Sequence, residues 1–220
     1  MFIINALVSL FVGIPAVVGW VRYKRIQPAF YPFICWLTLG LISEVISICI
    51  IYRYGNNAVS YNIFAMISPV LIAYQLNRWK QKILGVSFFY AVATFSVLLF
   101  LTEWLLRGSF SAFCSYAVII SSTVIVLINI CFISQWLSGA IDYLYRDAIS
   151  LICFGFVILY TYTITTECFL FFAQSLQTPF FHYLPIIFSV INLLVNLLFL
   201  FAILCIPLRI QYFLRRSLPV

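Results

Sequence analysis

The sequence predicts an all-α polytopic membrane protein, a single seven-transmembrane-helix bundle that takes up the whole chain, residues 1–220. Three observations predict this fold: 65% of the residues are hydrophobic, only 8% are charged, and the apolar residues form long runs separated by short polar breaks. A soluble domain carries about 25% charged residues. Because so apolar a surface needs lipid or other helices around it, we expect no separate soluble domain.

Each apolar run is long enough for a helix that crosses a bilayer. At a rise of 1.5 Å per residue, about 20 apolar residues cross a hydrocarbon core of roughly 30 Å. The strands of a membrane barrel have about ten residues of alternating polarity, whereas these runs are longer and do not alternate. The predicted spans, numbered one to seven, are Phe2–Val21, Tyr31–Tyr52, Val59–Leu76, Ile83–Leu106, Ala112–Leu137, Ala148–Ala173 and Tyr183–Leu208.

The first span has the apolar character of a secretion signal but not its charge order. Its first positive charges, Arg22, Lys24 and Arg25, follow the apolar run, whereas a cleaved signal carries them before it. We therefore expect a retained first helix. Pro15 in its middle is tolerated because neighbouring helices can satisfy the freed backbone groups.

The distribution of lysine and arginine predicts the orientation of the bundle. Ten of these residues follow the first, third, fifth and seventh spans, and only Arg53 and Arg107 lie on the other side. The positive-inside rule then places the N-terminus outside and the C-terminus in the cytoplasm. The ten residues are Arg22, Lys24, Arg25, Arg78, Lys80, Lys82, Arg146, Arg209, Arg215 and Arg216.

The net charge of +7 does not indicate nucleic-acid binding, because the charges are spread over four short segments that flank helices. Charges in such positions face anionic lipid headgroups. We therefore expect membrane lipids, including anionic headgroups at the basic inner surface, as partners, and no nucleic acid. The tail after Pro207 mixes apolar residues with three arginines, which predicts a segment lying along the inner surface.

The cysteines and the single histidine, His182, do not form a metal-binding pattern. No two cysteines have C-x-x-C spacing, so neither a zinc site nor any cofactor is predicted. Cys49, Cys114 and Cys168 lie toward the outer ends of their spans, where one disulfide could form, although small apolar core residues are the simpler interpretation. The sequence also lacks recognised catalytic motifs, so an enzyme is not expected.

The second span contains one carboxylate, Glu44, roughly 20 Å along the helix from Tyr31 at 1.5 Å per residue. An ionisable group in the hydrocarbon costs on the order of 2.5 kcal/mol or more unless another group shares it. Since successive residues turn by about 100°, Gly40, Ser43 and Ser47 fall on the same face as Glu44. These small residues predict a close contact with another helix at Glu44.

Polar residues also follow one face of the sixth and seventh spans, and the third span begins with another. Tyr160, Thr163 and Glu167 lie within about 60° of one another on the sixth span, and Asn192 and Asn196 share a narrow face of the seventh. The candidate ligand-binding or helix-contact residues are Glu44, Asn62, Tyr160, Thr163, Glu167, Asn192 and Asn196.

All three carboxylates within the spans lie in the predicted outer half, which indicates an outward-facing acidic polar cavity between helices 2, 3, 6 and 7. Glu103, beside Trp104, is interpreted as an interfacial anchor, and Glu167 could reach the outer headgroups. Glu44 is the deepest of the three. Its hydrogen-bonding partner is expected among Asn62, Tyr160, Thr163, Asn192 and Asn196.

Short motifs in four spans carry a family resemblance. They are L-I-S-E-V-I-S-I-C-I-I-Y around Glu44, the loop at Gly55, S-Y-N-I-F around Asn62, F-G-F-V-I-L-Y-T-Y in the sixth span, and the asparagines of the seventh. In these the chain resembles a group of small seven-helix membrane proteins common in Bacteroidetes-type bacteria, although Ser68 and Pro69 replace an expected acidic residue. The resemblance implies the fold, a multi-pass location in a bacterial inner membrane, and Glu44 and Asn62 as the first positions to test. It implies no activity.

Three functions from different classes remain open. The first is a binding or signalling module, whose cavity takes a small ligand or lipid or whose helices dock on a partner membrane protein. The second is a small proton-coupled solute transporter in which Glu44 carries the proton, although the sequence shows no inverted repeat. The third is an intramembrane enzyme acting on lipid, for which no nucleophile and base pair is recognisable. The sequence favours the first.

Overall fold

The computed structural model describes residues 2–79, 85–109, 112–138, 143–173 and 184–208. Short 3-10 turns at Leu10–Val12 and Pro28–Phe30 separate α1 from α2 and lead into α3. The helices are α1 Phe2–Ser9, α2 Gly13–Arg22, α3 Tyr31–Tyr54, α4 Ala58–Arg78, α5 Val86–Arg107, α6 Ser115–Ser138, α7 Tyr143–Ala173 and α8 Leu184–Cys205.

Six helical stretches in the described part of the chain are long and apolar enough to cross a bilayer, so the protein is a multi-pass membrane protein. The all-helical class is confirmed, and the six stretches fall on the second to seventh predicted spans. The first predicted span is represented by a shorter apolar helix, Ala6–Arg22. The six stretches are Pro28–Tyr54, Ala58–Arg78, Val86–Arg107, Ser115–Ser134, Ala148–Leu170 and Ile186–Cys205.

The two ends of the bundle differ in charge. Glu103 lies in the last turn of α5 and Glu167 lies six residues before the end of α7, and we call that end the carboxylate end. Arg22 and Arg78 end α2 and α4 at the opposite end, which we call the basic end. Several residues of the sequence argument fall outside the described part of the chain: Lys80, Lys82, His182 and the tail from Arg209 onward.

Glycine and asparagine reverse the chain at the carboxylate end. Gly55 ends α3 with φ of 73° and Gly108 ends α5 with φ of 65°, a conformation that a residue with a Cβ rarely adopts. The side-chain oxygen of Asn56 then accepts a hydrogen bond from the Ala58 N–H at 2.9 Å, which satisfies one free donor at the start of α4. Such short connections make α3 and α4 antiparallel neighbours.

The helices form a ring. Each helix from α3 to α8 packs against the next along the chain, and α1 and α2 close the ring against α8. Since α4 also contacts α6 directly, α5 lies outside the ring, against both of them. Large apolar side chains such as Val45, Leu98 and Leu127 are exposed on the outer surface of the bundle, as expected where helices face hydrocarbon.

The basic end of the ring is closed by hydrogen bonds and by a buried core. Arg22 Nη1 of α2 donates to the Ile203 carbonyl at the end of α8 at 2.5 Å, where a cation suits the helix dipole. Gln75 of α4 accepts from the Phe33 N–H and donates to the Ala29 carbonyl, each at 2.7 Å. The side chains packed beneath are fully buried: Ile26, Phe30, Phe33, Ile34 and Leu37.

Midway along the bundle, four aromatic rings fill the interior, and we call them the aromatic cluster: Phe33, Trp36, Phe156 and Phe199. Phe199 of α8 meets Trp36 and Phe156 edge to face, with ring centroids 5.6 and 5.5 Å apart, the geometry that aromatic pairs prefer. Gly155 of α7 leaves the room for the Phe199 ring. Toward the basic end the interior is filled with side chains, and toward the carboxylate end it contains a cavity.

Candidate functional site

A cavity of about 1000 Å³ lies inside the ring, between the aromatic cluster and the carboxylate end. Its walls come from α3, α4, α6, α7 and α8, and from Ser9 and Val12 where α1 passes into α2. Small-molecule pockets in proteins have volumes of about 300–1,000 Å³, so this cavity can hold a molecule of many non-hydrogen atoms.

The floor of the cavity is aromatic, and its polar groups are fixed by one another. Trp36, Phe64, Tyr160 and Phe199 line it. The Trp36 indole N–H donates to the Ser68 hydroxyl, and the hydroxyls of Ser68 and Tyr160 share a hydrogen bond of 2.6 Å. Because these three residues belong to α3, α4 and α7, the network ties three walls together at the floor.

Glu44 lines the cavity and is partly buried. The Ser9 hydroxyl at the end of α1 lies beside this side chain and donates its own hydrogen bond to the Ala6 carbonyl at 3.1 Å. Two of the predicted partners of Glu44 bond elsewhere: Tyr160 is bonded to Ser68, and Thr163 donates to the Leu159 carbonyl of its own helix at 3.0 Å. The sequence did not single out Ser9, because it is a lone polar residue in an otherwise apolar run and so belongs to no visible polar face.

Glu167 belongs to the cavity and does not reach the headgroups. It is only 6% exposed, and its Oε1 accepts a hydrogen bond from the Tyr61 hydroxyl at 2.7 Å. The expected headgroup contact is not made, because the carboxylate turns inward to the cavity and to the Tyr61 hydroxyl. The Tyr61–Glu167 bond joins α4 to α7 across the cavity wall.

Glu103 acts on the neighbouring helix and is not an interfacial anchor. It is 8% exposed and accepts the Ala117 N–H of α6 at 2.6 Å, which satisfies a free donor of that helix's first turn. It also pairs with Arg107 at 2.8 Å. The sequence could not reveal this, because the first turn of α6 approaches Glu103 only in the folded chain.

Asn62 stands apart from the other candidates. It is 7% exposed, its Nδ2 donates to the Ala112 carbonyl at 2.7 Å, and its Oδ1 accepts the Cys114 N–H at 3.1 Å. It is absent from the cavity lining among the described residues. Asn62 thus fastens the segment that precedes α6 to the side of α4.

The structure brings six of the seven candidate residues to one cavity: Glu44, Tyr160, Thr163, Glu167, Asn192 and Asn196. The sequence analysis did not name Trp36 and Tyr61 as cavity residues, although the helical spacing of each could have indicated it. Trp36 lies one turn before Gly40 on the same face of α3, and Tyr61 lies one and two turns before Ala65 and Ser68 on the face of α4 that lines the cavity. Arg107 also lines the cavity, but the sequence analysis used it only to predict the orientation of the bundle.

The seven cysteines are all free thiols. Cys49 is exposed and Cys114 is buried, so the disulfide considered among the outer cysteines is not formed. Burial raises the pKa of the Cys114 thiol, the nearby Glu103 carboxylate raises that pKa further, and Arg107 partly opposes both effects. The described residues contain no group of three metal-binding side chains.

Comparison of the chain with protein-family models, with curated proteins and with solved structures finds no match. The function proposed for it therefore depends on the geometry and chemistry of the cavity.

Proposed function

We propose that the chain is a seven-span protein of the cell membrane, with its N-terminus outside and its C-terminus in the cytoplasm, that binds a small ligand in this cavity as a binding or signalling module. The orientation follows from the lysine and arginine bias, and the resemblance to the Bacteroidetes group favours a bacterial inner membrane. The cavity itself carries the proposal: it has the size of a ligand site and unites polar groups from helices far apart in sequence.

The two ends of the bundle favour binding over passage of a solute. In the proposed orientation the cavity lies toward the outside, so a ligand would enter from that side. From the floor toward the basic end, the aromatic cluster and the fully buried residues around Phe30 and Leu37 fill the ring. Any output would pass through helix contacts to a partner membrane protein, or through the basic surface that faces anionic lipid.

The binding role can be tested with a matched pair of substitutions on α7. Thr163 lines the cavity, whereas Thr165, two positions away, is exposed on the outer surface. Both hydroxyls donate to the carbonyl four residues earlier, so Thr163→Trp and Thr165→Trp remove the same local bond. We expect Thr163→Trp to lose at least nine-tenths of a small molecule that copurifies with the wild-type protein, because the indole would occupy the cavity.

The measurement is mass spectrometry of small molecules extracted from the purified protein after membrane solubilisation. Thr165→Trp should retain the wild-type amount of the same molecule. Equal retention by both variants, or no copurifying molecule in any of the three proteins, would count against a ligand-binding cavity.

A proton-coupled transporter is the second candidate, and one observation favours it. The first helix is interrupted at Leu10–Val12 beside Ser9 and Glu44, and Pro69 interrupts the backbone bonding of α4 where it lines the cavity. Broken helices beside an ionisable group are a feature of secondary transporters.

Transport can be separated from binding in proteoliposomes that contain an internal pH probe. Because the basic end is closed, we expect an imposed pH gradient to drive no uptake of amines, sugars or amino acids above that of protein-free liposomes. Uptake by the wild-type protein that falls at least tenfold in Glu44→Gln would contradict this expectation and favour the transporter.

A further inference from the structure

We infer that the cavity takes an organic cation, an ammonium group carried on an apolar body. This inference deepens the binding function proposed above and rests on it. Three independent features of the lining lead to it: the charges, the direction of the hydrogen bonds, and the aromatic floor.

The charged groups of the lining are two carboxylates and one guanidinium: Glu44, Glu167 and Arg107. Arg107 is already held by Glu103 at 2.8 Å, the single salt bridge among the described residues, and lies 5.7 Å over the Tyr116 ring. Glu44 and Glu167 have hydroxyl neighbours, Ser9 and Tyr61, and neither carboxylate forms a salt bridge within the described residues. A carboxylate enclosed in a low-dielectric site gains most from a partner of opposite charge.

The hydrogen bonds of the walls turn acceptors toward the cavity. Thr163 and Thr166 of α7 donate to the carbonyls of Leu159 and Tyr162, each at 3.0 Å, and Ser121 of α6 donates to the Ala117 carbonyl at 2.6 Å. A hydroxyl has one donor and two lone pairs, so a hydroxyl that has spent its proton on its own helix can offer a ligand only lone pairs.

The same bias holds for two larger groups of the lining. Tyr61 spends its proton on Glu167, and the Asn196 Nδ2 donates to the Asn192 Oδ1 at 3.0 Å. The oxygens of Tyr61 and Asn196 are left to accept, and the two asparagine amides keep N–H donors beside them. Walls rich in free acceptors match a ligand that donates several hydrogen bonds, and an ammonium group donates up to three.

The floor suits the rest of such a molecule. Trp36, Tyr160, Phe64 and Phe199 line it, and aromatic rings both pack against apolar groups and attract cations over their faces. A free fatty acid or another anion would meet the two carboxylates and the acceptor oxygens instead, so we expect anions to be excluded.

The charge of the ligand can be tested with three probes that share one body: 4-phenylbutylamine, 4-phenylbutan-1-ol and 4-phenylbutyrate, at pH 7. Equilibrium dialysis against protein in lipid nanodiscs, with empty nanodiscs subtracted, measures binding apart from partition into lipid. We expect the amine to bind at least tenfold more tightly than the alcohol, since a hydrogen bond to a charged group is the stronger kind, and the butyrate not to bind.

Two pairs of variants then locate the recognition. Glu44→Gln and Glu167→Gln should each weaken amine binding roughly tenfold, while Glu44→Asp and Glu167→Asp, which keep the charge, should recover most of it. Thr163→Trp should abolish amine binding, and Thr165→Trp should leave it unchanged. If a glutamine variant does not fold, as judged by its unfolding midpoint, the other variant and the three-probe comparison on the wild-type protein still decide the question.

Two results would overturn the inference in distinguishable ways. Alcohol or butyrate binding as tight as that of the amine, and sensitive to Thr163→Trp, would reject a cation site and leave the binding function standing. Amine binding that is insensitive to Thr163→Trp, or binding of none of the three probes, would reject the cation site, and the copurification experiment would then decide the fate of the binding function on its own.

Discussion

Replacing Gly155 with alanine is expected to lower the free energy of unfolding by about 1–3 kcal/mol, the usual cost of overpacking a filled core. A Cβ on this residue of α7 would overlap the Phe199 ring of α8, with Cδ1 and Cζ of that ring 2.9 Å away. The ring cannot move aside easily, because Trp36 and Phe156 pack edge-on against it and its exposure is only 1%. Unfolding by sodium dodecyl sulfate in mixed micelles measures the loss.

Gly40→Ala is the matched control for this substitution. It is also a glycine inside a membrane helix, but a Cβ there would meet Val12 Cγ2 at 3.7 Å and Phe64 Cε2 at 3.8 Å, which are ordinary van der Waals contacts. Since alanine is the better helix former by about 1 kcal/mol, we expect Gly40→Ala to be neutral or mildly stabilising. A similar loss in both variants would mean that the Phe199 ring does not set the cost.

The interior faces of several helices could be predicted because helical periodicity is a local property. Gly40 and Glu44 of α3, and Thr163 and Glu167 of α7, are each one turn apart, and all four line the cavity. Bilayer length likewise limited where spans could begin and end. Their ends were less certain, because a helix can continue past its apolar stretch, as α7 does by starting at Tyr143, before the apolar stretch Ala148–Leu170.

The partners of the polar groups could not be predicted, because they depend on which helices become neighbours in the ring. Glu44 meets Ser9 of the first helix, and Glu103 meets the first turn of α6. A single sequence carries no information about such pairs. Asn62 shows the converse, since its place in a recognisable motif made it a candidate while its amide bonds the segment before α6.

Gln75 is the residue whose importance the sequence concealed most, and Gln75→Met is expected to cost about 2–5 kcal/mol. The side chain is 1% exposed, and its amide satisfies both the Phe33 N–H and the Ala29 carbonyl. Methionine keeps the volume and removes both hydrogen bonds. Each buried backbone group left without a partner costs about 1–3 kcal/mol, and Pro32 in the first turn of α3 leaves little freedom to rearrange.

Asn129→Leu is the control. It separates the loss of hydrogen bonds to two backbone groups from a general cost of removing a buried side-chain amide. Asn129 of α6 has an exposure of 0%, but its Nδ2 only donates to the Ile125 carbonyl of its own helix at 2.8 Å. Its Oδ1 has no partner among the described residues. Leucine removes that unpaired oxygen, so we expect the free energy of unfolding to stay the same or rise. An equal loss of unfolding free energy in both variants, measured in mixed micelles, would mean that removing any buried amide has this cost. A loss in Gln75→Met alone would mean that the two backbone partners of the Gln75 amide hold the basic end closed beneath the cavity.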